Sequence, residues 1–278
     1  MHSHFRFQRR YRGPVRAVIF DWAGTIVDYG SRAPAGVFIE VYRRHGVALT
    51  AAQARGPMGM QKRDHIAALA ALPEVAQAWR TANGADLGDA DIDRMYEEFL
   101  PLQLECLTDY ADIIPGALDT FAACRQRGIR IGTSTGYGRP LMDILVPAAA
   151  RQGLQADAVV CADDVPAGRP APWMCFENAK RLGVWPMEAI VKIDDTLPGI
   201  DAGLNAGMWT VGVVRSGNEI GLSPQEIAAM PAEQYGARAS AGYERFARCG
   251  SHFVIDSVAD LMPVIDEIDA RLGRGETP

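Results

Sequence analysis

The sequence has few cysteines, and they form no pattern that indicates a disulfide framework or a metal centre. Five are present in 278 residues, and none of them belongs to a CxxC pair. An odd number of scattered cysteines is typical of reduced thiols in a cytoplasmic protein. We therefore expect neither a disulfide-bonded domain nor a structural zinc site, and we expect a cytoplasmic location.

Long apolar runs and an excess of basic residues are missing as well. The N-terminal residues lack the apolar core of a signal peptide, and no apolar run is long enough to cross a bilayer. The net charge is −6, which does not favour general binding to nucleic acid. These absences predict a chain with no membrane partner and no nucleic-acid partner.

The charge is unevenly distributed along the chain. Residues 1–16 contain five arginines and no acid, which leaves 28 − 5 = 23 basic residues against 34 acidic ones in the remainder. We predict a basic N-terminal tail over residues 1–14. A solvated terminus and a contact with RNA or membrane both remain open for this tail.

Short apolar runs that alternate with helical patterns account for most of the sequence. The runs with the length of buried parallel strands cover residues 15–20, 129–134, 158–162, 189–194 and 209–214. Helical spacing over residues 117–128 and 140–153 separates the later runs. This alternation predicts an α/β fold, a doubly wound parallel sheet of the Rossmann-like kind.

Residues 31–106 differ from the remainder because they contain helical patterns but no convincing strand. We interpret them as a helical cap domain inserted after strand one, with a core domain formed by residues 15–30 and 107–278. Ligands of such sheets bind at the carboxyl ends of the strands. A cap at this position would cover the ligand site and exclude water from it.

Polar side chains recur where the predicted strands finish. Asp21 ends the first, Thr135 the second and Asp195 the fourth, and Arg169 lies in the loop after the third. Carboxylates bind Mg²⁺, whereas a hydroxyl and a guanidinium bind phosphate oxygens. Each residue alone could be a turn or a helix cap, but their order together predicts a site for phosphoryl chemistry.

This set of motifs resembles the haloacid dehalogenase superfamily of phosphotransferases. The superfamily pattern is Asp-x-Asp-Gly-Thr, then Thr or Ser, then Lys or Arg, then an acidic pair. The stretch DWAGT, residues 21–25, matches it except at Ala23. In the superfamily's phosphatases the first Asp attacks phosphorus and the second protonates the leaving alkoxide. Ala23 therefore indicates either an inactive protein or a different leaving group.

The predicted cap contains a second candidate in the stretch PMGMQKRDH, residues 57–65. Lys62 and His65 are three positions apart and share one face of a helix. A desolvated lysine at a helix N-terminus is partly neutral and can form a Schiff base with a carbonyl. Spacing alone favours a solvated Lys62 and a His65 that packs against a neighbour, and this interpretation stays open beside the catalytic one.

The combination of Ala23 with a cap lysine resembles the phosphonoacetaldehyde hydrolases of this superfamily. The resemblance of this chain to that family also rests on the stretches DYGSRAP, STGY, DDVPAGRPAPWM and NAGMWTVGV, and it extends from about residue 16 to about residue 270. The resemblance implies cleavage of a carbon–phosphorus bond with Mg²⁺ and a lysine imine, in a homodimer. An iminium accepts the electrons of that bond, so the leaving group needs no Asp at position 23.

The resemblance also implies roles for individual residues. Asp21 is expected to be the nucleophile and a metal ligand, and Lys62 is expected to form the imine. The remaining expected roles are metal binding by Asp195 and the backbone carbonyl of Ala23, phosphonate binding by Thr135 and Arg169, proton relay or pocket lining by His65, Met58 and Tyr137, and support of the metal site from outside its ligand shell by Asp194.

One position departs from the superfamily pattern, which often has a further acid four residues after the principal Asp. That position is Gly199 here, so the exact metal ligands stay open. Two other functions compete with phosphonate hydrolysis. One is a phosphatase or phosphomutase acting on an ester, and the other is an inactive protein that binds a phosphorylated ligand.

Overall fold

The structure is a computed structural model that describes residues 10–278. Within these residues a single six-stranded sheet has the order β3-β2-β1-β4-β5-β6, and every neighbouring pair is parallel. The strands are β1 (Ala17–Phe20), β2 (Arg130–Thr135), β3 (Ala158–Cys161), β4 (Ile190–Asp194), β5 (Trp209–Val213) and β6 (Phe253–Ile255). The predicted α/β fold with a doubly wound parallel sheet is confirmed.

Twelve α-helices connect and flank the strands in the part of the chain from residue 10 onward. Those before β2 are α1 (Arg32–Arg44), α2 (Ala51–Arg55), α3 (Lys62–Ala70), α4 (Pro73–Asn83), α5 (Asp89–Cys106) and α6 (Ala117–Gln126). Those after β2 are α7 (Arg139–Arg151), α8 (Trp173–Leu182), α9 (Leu197–Asn205), α10 (Pro224–Ala229), α11 (Ala232–Cys249) and α12 (Leu261–Gly273).

Strand β1 explains why the sheet carries helices on both faces. Its four residues are fully buried, and successive side chains of a strand point to opposite faces. Val18 and Phe20 enter one hydrophobic cluster, whereas Ala17 and Ile19 enter another. The central strand is therefore apolar without interruption, as expected for a parallel strand that is covered on both sides.

The register of β1 brings the ends of three strands together. Phe20 is paired with Thr133 of β2 and with Ile193 of β4. The residues that follow these partners, Asp21 among them, consequently lie at the same edge of the sheet. This edge is also where the strand order reverses, which is the usual ligand site of an open α/β sheet.

Helices α1 to α5 form the helical cap between β1 and the rest of the sheet. They enclose a hydrophobic cluster of their own, in which Phe38, Tyr42, Trp79 and Phe99 are almost completely buried. A separate cluster indicates that the cap packs around its own centre. The cap insertion is confirmed, while the domain boundaries at residues 30–31 and 106–107 stay a prediction.

The five predicted strands all occur, but β6 was not predicted. It has three residues, Phe253–Ile255, and pairs only with β5 at the edge of the sheet. Such a short run gives almost no periodicity to recognise.

Two further expectations concern the ends and the surface of the protein. Residues 1–9 of the predicted basic tail lie outside the described residues, and Arg10 donates a hydrogen bond from Nη1 to the Gly275 carbonyl at 2.7 Å. From residue 10 to residue 278, none of the helices combines the length and apolar character needed to span a bilayer.

Candidate active site

A small cavity of about 20 Å³ lies between the sheet edge and the cap. Its walls combine residues from strand ends with residues from the cap loop before α3. The lining residues are Asp21, Ala23, Ser31, Pro34, Met58, Gly59, Lys62, Thr135, Gly136, Tyr137, Arg169 and Thr196. Seven predicted site residues are among them, namely Asp21, Ala23, Met58, Lys62, Thr135, Tyr137 and Arg169.

Asp21 and Arg169 form a buried ion pair at the floor of the cavity. Arg169 Nη2 lies 2.6 Å from Asp21 Oδ1 and donates to the carbonyl oxygen of Ser134 at 2.7 Å. Both side chains are almost fully buried, because the Asp21 carboxylate follows β1 directly and the Arg169 loop folds over it. Burial raises the pKa of Asp21, and the charge of Arg169 opposes that rise. The ionised carboxylate that a nucleophile requires is thus supported by a fixed cation.

Asp194 connects this ion pair to Lys192, which was not among the predicted site residues. Its Oδ2 lies 2.6 Å from Nζ of Lys192 and 3.3 Å from Nη1 of Arg169. Its Oδ1 accepts hydrogen bonds from the amide and the hydroxyl of Thr196 at 3.0 and 2.6 Å. Burial acts to raise the pKa of Asp194, but Arg169 and Lys192 hold it below its ordinary value. A charged residue inside the apolar run 189–194 was the available signal for Lys192.

Three carboxylates meet below the cavity. Asp21, Asp194 and Asp195 each offer an oxygen, and these oxygens lie within 4.8 Å of one another. Burial, Asp21 and Asp194 raise the pKa of Asp195 well above its ordinary value. Such crowding is relieved by a bound cation, and carboxylate oxygens are the ligands that a hard divalent cation prefers. The donor set therefore fits a divalent metal ion.

Asp195 is held in place from two sides. Its Oδ2 accepts the backbone amide of Asn218 at 2.8 Å, and Thr25 Oγ1 lies 3.4 Å from its Oδ1. Gly24 has a φ of +81°, and a β-carbon there would lie 2.0 Å from Asp195 Oδ2. The glycine of the DWAGT stretch is thus needed for its backbone angle and for the close approach of Asp195.

Lys62 is the first residue of α3 and reaches the cavity from the cap. Its Nζ lies 4.7 Å from the ring centre of Tyr137 and 5.5 Å from that of Phe38. Burial lowers the pKa of Lys62 to about 7, with Asp21 acting in the opposite direction. A substantial fraction of this lysine is therefore uncharged near neutral pH, as a nucleophilic amine must be.

His65 is the one predicted catalytic residue that the fold does not bring to the cavity wall. Its ring is fully buried and stacks on Phe38 with ring centres 3.7 Å apart, and its Nε2 is 2.9 Å from the carbonyl oxygen of Ala54. Burial and the nearby Lys62 lower its pKa well below the usual value. A neutral ring that donates from Nε2 fits this environment. Its role in proton transfer stays a prediction.

The remaining predicted site residues lie where the second strand ends and where the cap loop returns. Thr135 Oγ1 accepts the backbone amide of Tyr137 at 3.1 Å, which fixes the turn after β2. Tyr137 and Met58 are both almost fully buried. Burial raises the pKa of Tyr137 well above its usual value, so its hydroxyl stays protonated.

Comparison with known proteins places the chain among hydrolases. The model of the family described as haloacid dehalogenase-like hydrolase matches residues 15–207. A curated phosphonoacetaldehyde hydrolase of Paraburkholderia phytofirmans is 50% identical over 95% of this chain and 99% of its own length. Another, of Nitratidesulfovibrio vulgaris, is 48% identical over 97% of this chain and 96% of its own length.

One solved structure supports the same assignment, and a more distant one shows the shared fold. A phosphonoacetaldehyde hydrolase-like protein of Oleispira antarctica superposes with a TM-score of 0.96 at 40% identity, covering 99% of this chain and all of that one. A β-phosphoglucomutase of Clostridium difficile has a TM-score of 0.68 at 20% identity over 92% of this chain and 98% of its own, which shows a shared fold alone. The chain belongs to the haloacid dehalogenase-like hydrolases and, within them, to the phosphonoacetaldehyde hydrolase family.

Proposed function

We propose that this protein hydrolyses phosphonoacetaldehyde to acetaldehyde and phosphate. One observation carries the proposal: a buried lysine with a pKa near 7 and a strand-end aspartate line the same small cavity. An amine that is partly neutral suits an aldehyde, and a carboxylate beside a guanidinium suits a phosphonate. The two reactive ends of the substrate thus correspond to the two sides of the cavity.

The first step would be attack of the neutral Lys62 amine on the aldehyde carbon. Protonation of the adduct's hydroxyl group and loss of water leave an iminium, in which the lysine nitrogen is bonded to the former carbonyl carbon. The aromatic rings of Tyr137 and Phe38 lie close enough to stabilise this cation. The cap therefore provides the electron acceptor that carbon–phosphorus cleavage requires.

The second step would be attack of an Asp21 oxygen on phosphorus. The carbon–phosphorus bond breaks, and its electron pair forms an enamine while the iminium nitrogen becomes neutral. Protonation of the enamine carbon followed by hydrolysis of the imine releases acetaldehyde and regenerates Lys62. Water then cleaves the aspartyl-phosphate, so one water is consumed in the complete reaction. Arg169 and Thr135 would hold the phosphonate oxygens throughout.

Ala23 fits this chemistry because the departing carbon needs no acid at that position. We propose that Asp21, Asp195 and the backbone carbonyl of Ala23 hold Mg²⁺. When bound, the ion neutralises charge so that one anion can approach another. The crowded carboxylates and the raised pKa of Asp195 support a cation at this position.

We also propose a cytoplasmic homodimer, on the basis of the family resemblance and of the five cysteines, none of which is paired in a disulfide. The molecule that binds in the active site is a small phosphonate substrate.

The decisive experiment treats the protein with phosphonoacetaldehyde, Mg²⁺ and borohydride. We expect an adduct on Lys62, found by peptide mass spectrometry, and release of phosphate and acetaldehyde when borohydride is omitted. The lysines of the chain are Lys62, Lys180 and Lys192, so the adduct can be assigned without ambiguity. Folded protein that gives neither an adduct nor products would contradict the proposal.

Matched variants separate this reaction from the alternatives. Lys62→Arg keeps a positive charge but removes the amine that forms an imine, so both trapping and turnover should disappear. Lys180→Arg is the control, because Lys180 is largely exposed and pairs with Glu177. Turnover of phosphate esters that survives Lys62→Arg would instead indicate a phosphatase or phosphomutase. Binding of phosphonate without any turnover would indicate an inactive binding protein.

A further inference from the structure

Arg55 is a cap residue whose guanidinium is bound by the segment that enters the cap and by the core. It ends helix α2, and its Nη1 donates to the carbonyl oxygens of Gly30 at 2.9 Å and Ser31 at 3.2 Å. Its Nη2 donates to the carbonyl oxygen of Gly221 at 3.0 Å. One side chain therefore ties the cap to the segment that enters it and to the core loop that follows β5.

Asn218 extends this connection to the carboxylate cluster. Arg55 Nη1 donates to Asn218 Oδ1 at 3.2 Å, and Asn218 Nδ2 donates to the carbonyl oxygen of Arg55, also at 3.2 Å. The backbone amide of Asn218 donates to Asp195 Oδ2 at 2.8 Å. The end of α2 and the predicted metal ligand Asp195 are thus held by the same residue.

The backbone at Gly221 is shaped around the guanidinium. Gly221 has a φ of +63°, and a β-carbon there would lie 2.5 Å from the central carbon of the Arg55 guanidinium. A left-handed backbone angle and the lack of a side chain are both required for this approach. The core loop is therefore built to receive Arg55, which argues against an incidental surface contact.

The loop from Arg55 to Lys62 is packed just as closely at its other end. A β-carbon on Gly59, where φ is +92°, would lie 2.2 Å from Thr196 Oγ1. A β-carbon on Gly136 would lie 2.6 Å from the carbonyl oxygen of Met60. Residues 56–61 are consequently pressed onto the strand ends, and Lys62 follows immediately.

We propose that Arg55 is a positioning residue that holds this loop closed and thereby keeps Lys62 over the cavity. Its contact with Asn218 couples the closed loop to the placement of Asp195. The part of the proposal that concerns Lys62 reactivity rests on the proposed function. The part that concerns loop closure does not, because it depends only on the hydrogen bonds of Arg55.

The primary test is hydrogen exchange of the substrate-free protein, measured by mass spectrometry on peptides that cover residues 56–61. Arg55→Met removes the charged donors while keeping much of the side-chain length. We expect exchange in this loop to accelerate about ten- to a hundredfold, as befits the loss of charge-assisted hydrogen bonds. Exchange in strand β4 should stay unchanged.

Arg63→Met is the matched control. Arg63 is also a cap arginine, but it pairs with Asp93 at 2.6 Å and Asp89 at 3.5 Å, which both belong to the cap. Its loss should leave exchange in residues 56–61 as it is in the unmodified protein. Equal acceleration in both variants would show general loosening of the cap and would overturn the role of Arg55.

The second readout is the rate at which borohydride traps the substrate on Lys62. Arg55→Met should trap on the order of a hundredfold more slowly, because misplacing a reacting group by about 1 Å has that effect. Arg55→Lys keeps the positive charge but not the paired N–H donors of a guanidinium, so its trapping rate should lie between those of Arg55→Met and the unmodified protein. Trapping and exchange at the unmodified level in folded Arg55→Met would refute the proposal.

Two further outcomes are distinguishable. If Arg55→Met does not fold, Asn218→Ala replaces it, because this variant keeps the contacts of Arg55 with Gly30, Ser31 and Gly221. Unchanged hydrogen exchange in residues 56–61 of Asn218→Ala would overturn the coupling between the closed loop and Asp195. If the unmodified protein forms no adduct, the proposed function fails, while the exchange experiment still decides whether Arg55 closes the loop.

Discussion

The carboxylate of Asp194 lies in the space into which a side chain at Gly199 would project. A β-carbon on Gly199 would lie 2.0 Å from the carboxylate carbon of Asp194 and from its Oδ2. The departure from the superfamily pattern at position 199 therefore has a physical counterpart. This chain carries an acid at 194, and the glycine leaves room for it.

Gly199→Ala should accordingly destabilise the protein by about 1–3 kcal/mol, the usual cost of overpacking a buried site. It should also lower activity, because displacing Asp194 releases Arg169 and Lys192. Thermal unfolding and phosphate release measure the two effects. Gly236→Ala is the control: Gly236 lies in the exposed helix α11 with open space around it, and alanine there should be neutral or slightly stabilising. Equal behaviour of the two variants would show that position 199 is not crowded.

The reactivity of Lys62 towards an aldehyde should increase with pH, because only the neutral amine is a nucleophile. Below its pKa of about 7 the side chain is protonated and cannot attack an aldehyde, whereas above it the amine is neutral. The charges that act on it are Asp21, Asp28 and Asp195, which raise the pKa, and Arg169, which lowers it. We expect the borohydride-trapping rate to rise about tenfold from pH 6 to pH 8.

Trapping is preferable to turnover for this measurement, because Asp28, with a pKa raised by burial to about 6, also titrates in this range. A trapping rate that is flat over the same range would contradict a buried lysine of lowered pKa. Stability provides an independent check. The unfolded chain binds more protons at Lys62 than the folded one between pH 7 and pH 10, so the contribution of Lys62 to the free energy of unfolding should rise with pH.

Ala23→Asp should not improve phosphonate cleavage. The side chain at 23 lines the cavity, and a carboxylate there would add a further negative charge beside Asp21. We expect kcat/KM for phosphonoacetaldehyde to fall on the order of tenfold, since like charges raise the pKa of the nucleophile. Ala23→Asn separates the effect of size from that of charge. A large gain with Asp would mean that the leaving group does need an acid.

Mg²⁺ should stabilise the protein through Asp195. At a concentration of 100 times its Kd, a ligand that binds only the folded state contributes about 2.7 kcal/mol. We expect the thermal midpoint to rise with Mg²⁺ in the unmodified protein and not in Asp195→Asn. Without Mg²⁺, the Asn variant should unfold at the higher temperature of the two, because one of three crowded carboxylates is gone.

The control for this measurement is Asp86→Asn. Asp86 is highly exposed in the cap, where it pairs with Arg80, so its loss should leave the Mg²⁺ response intact. The lack of any Mg²⁺ effect on the unmodified protein would argue against the proposed metal site.

Much of the candidate site could be predicted from local sequence. Asp21, Thr135 and Asp195 were predictable because apolar runs end at them, and strand ends of a parallel sheet share one edge. Lys62 was predictable because a turn-rich segment before it marks the start of a helix. His65 shows the limit of this reasoning. Its spacing places it one turn from Lys62, but stacking on Phe38 turns its ring into the cap.

What the sequence determined by itself is the order of elements and the chemistry at the strand ends, since periodicity and turn residues act over a few positions. Only the tertiary structure decided which residues that are far apart in the chain contact one another and how burial changes their pKa values. Arg55 binding Asn218, Asp194 filling the space at Gly199, and burial lowering the pKa of Lys62 all depend on distances across the fold. Desolvation and steric exclusion arise from packing, and no local pattern encodes them.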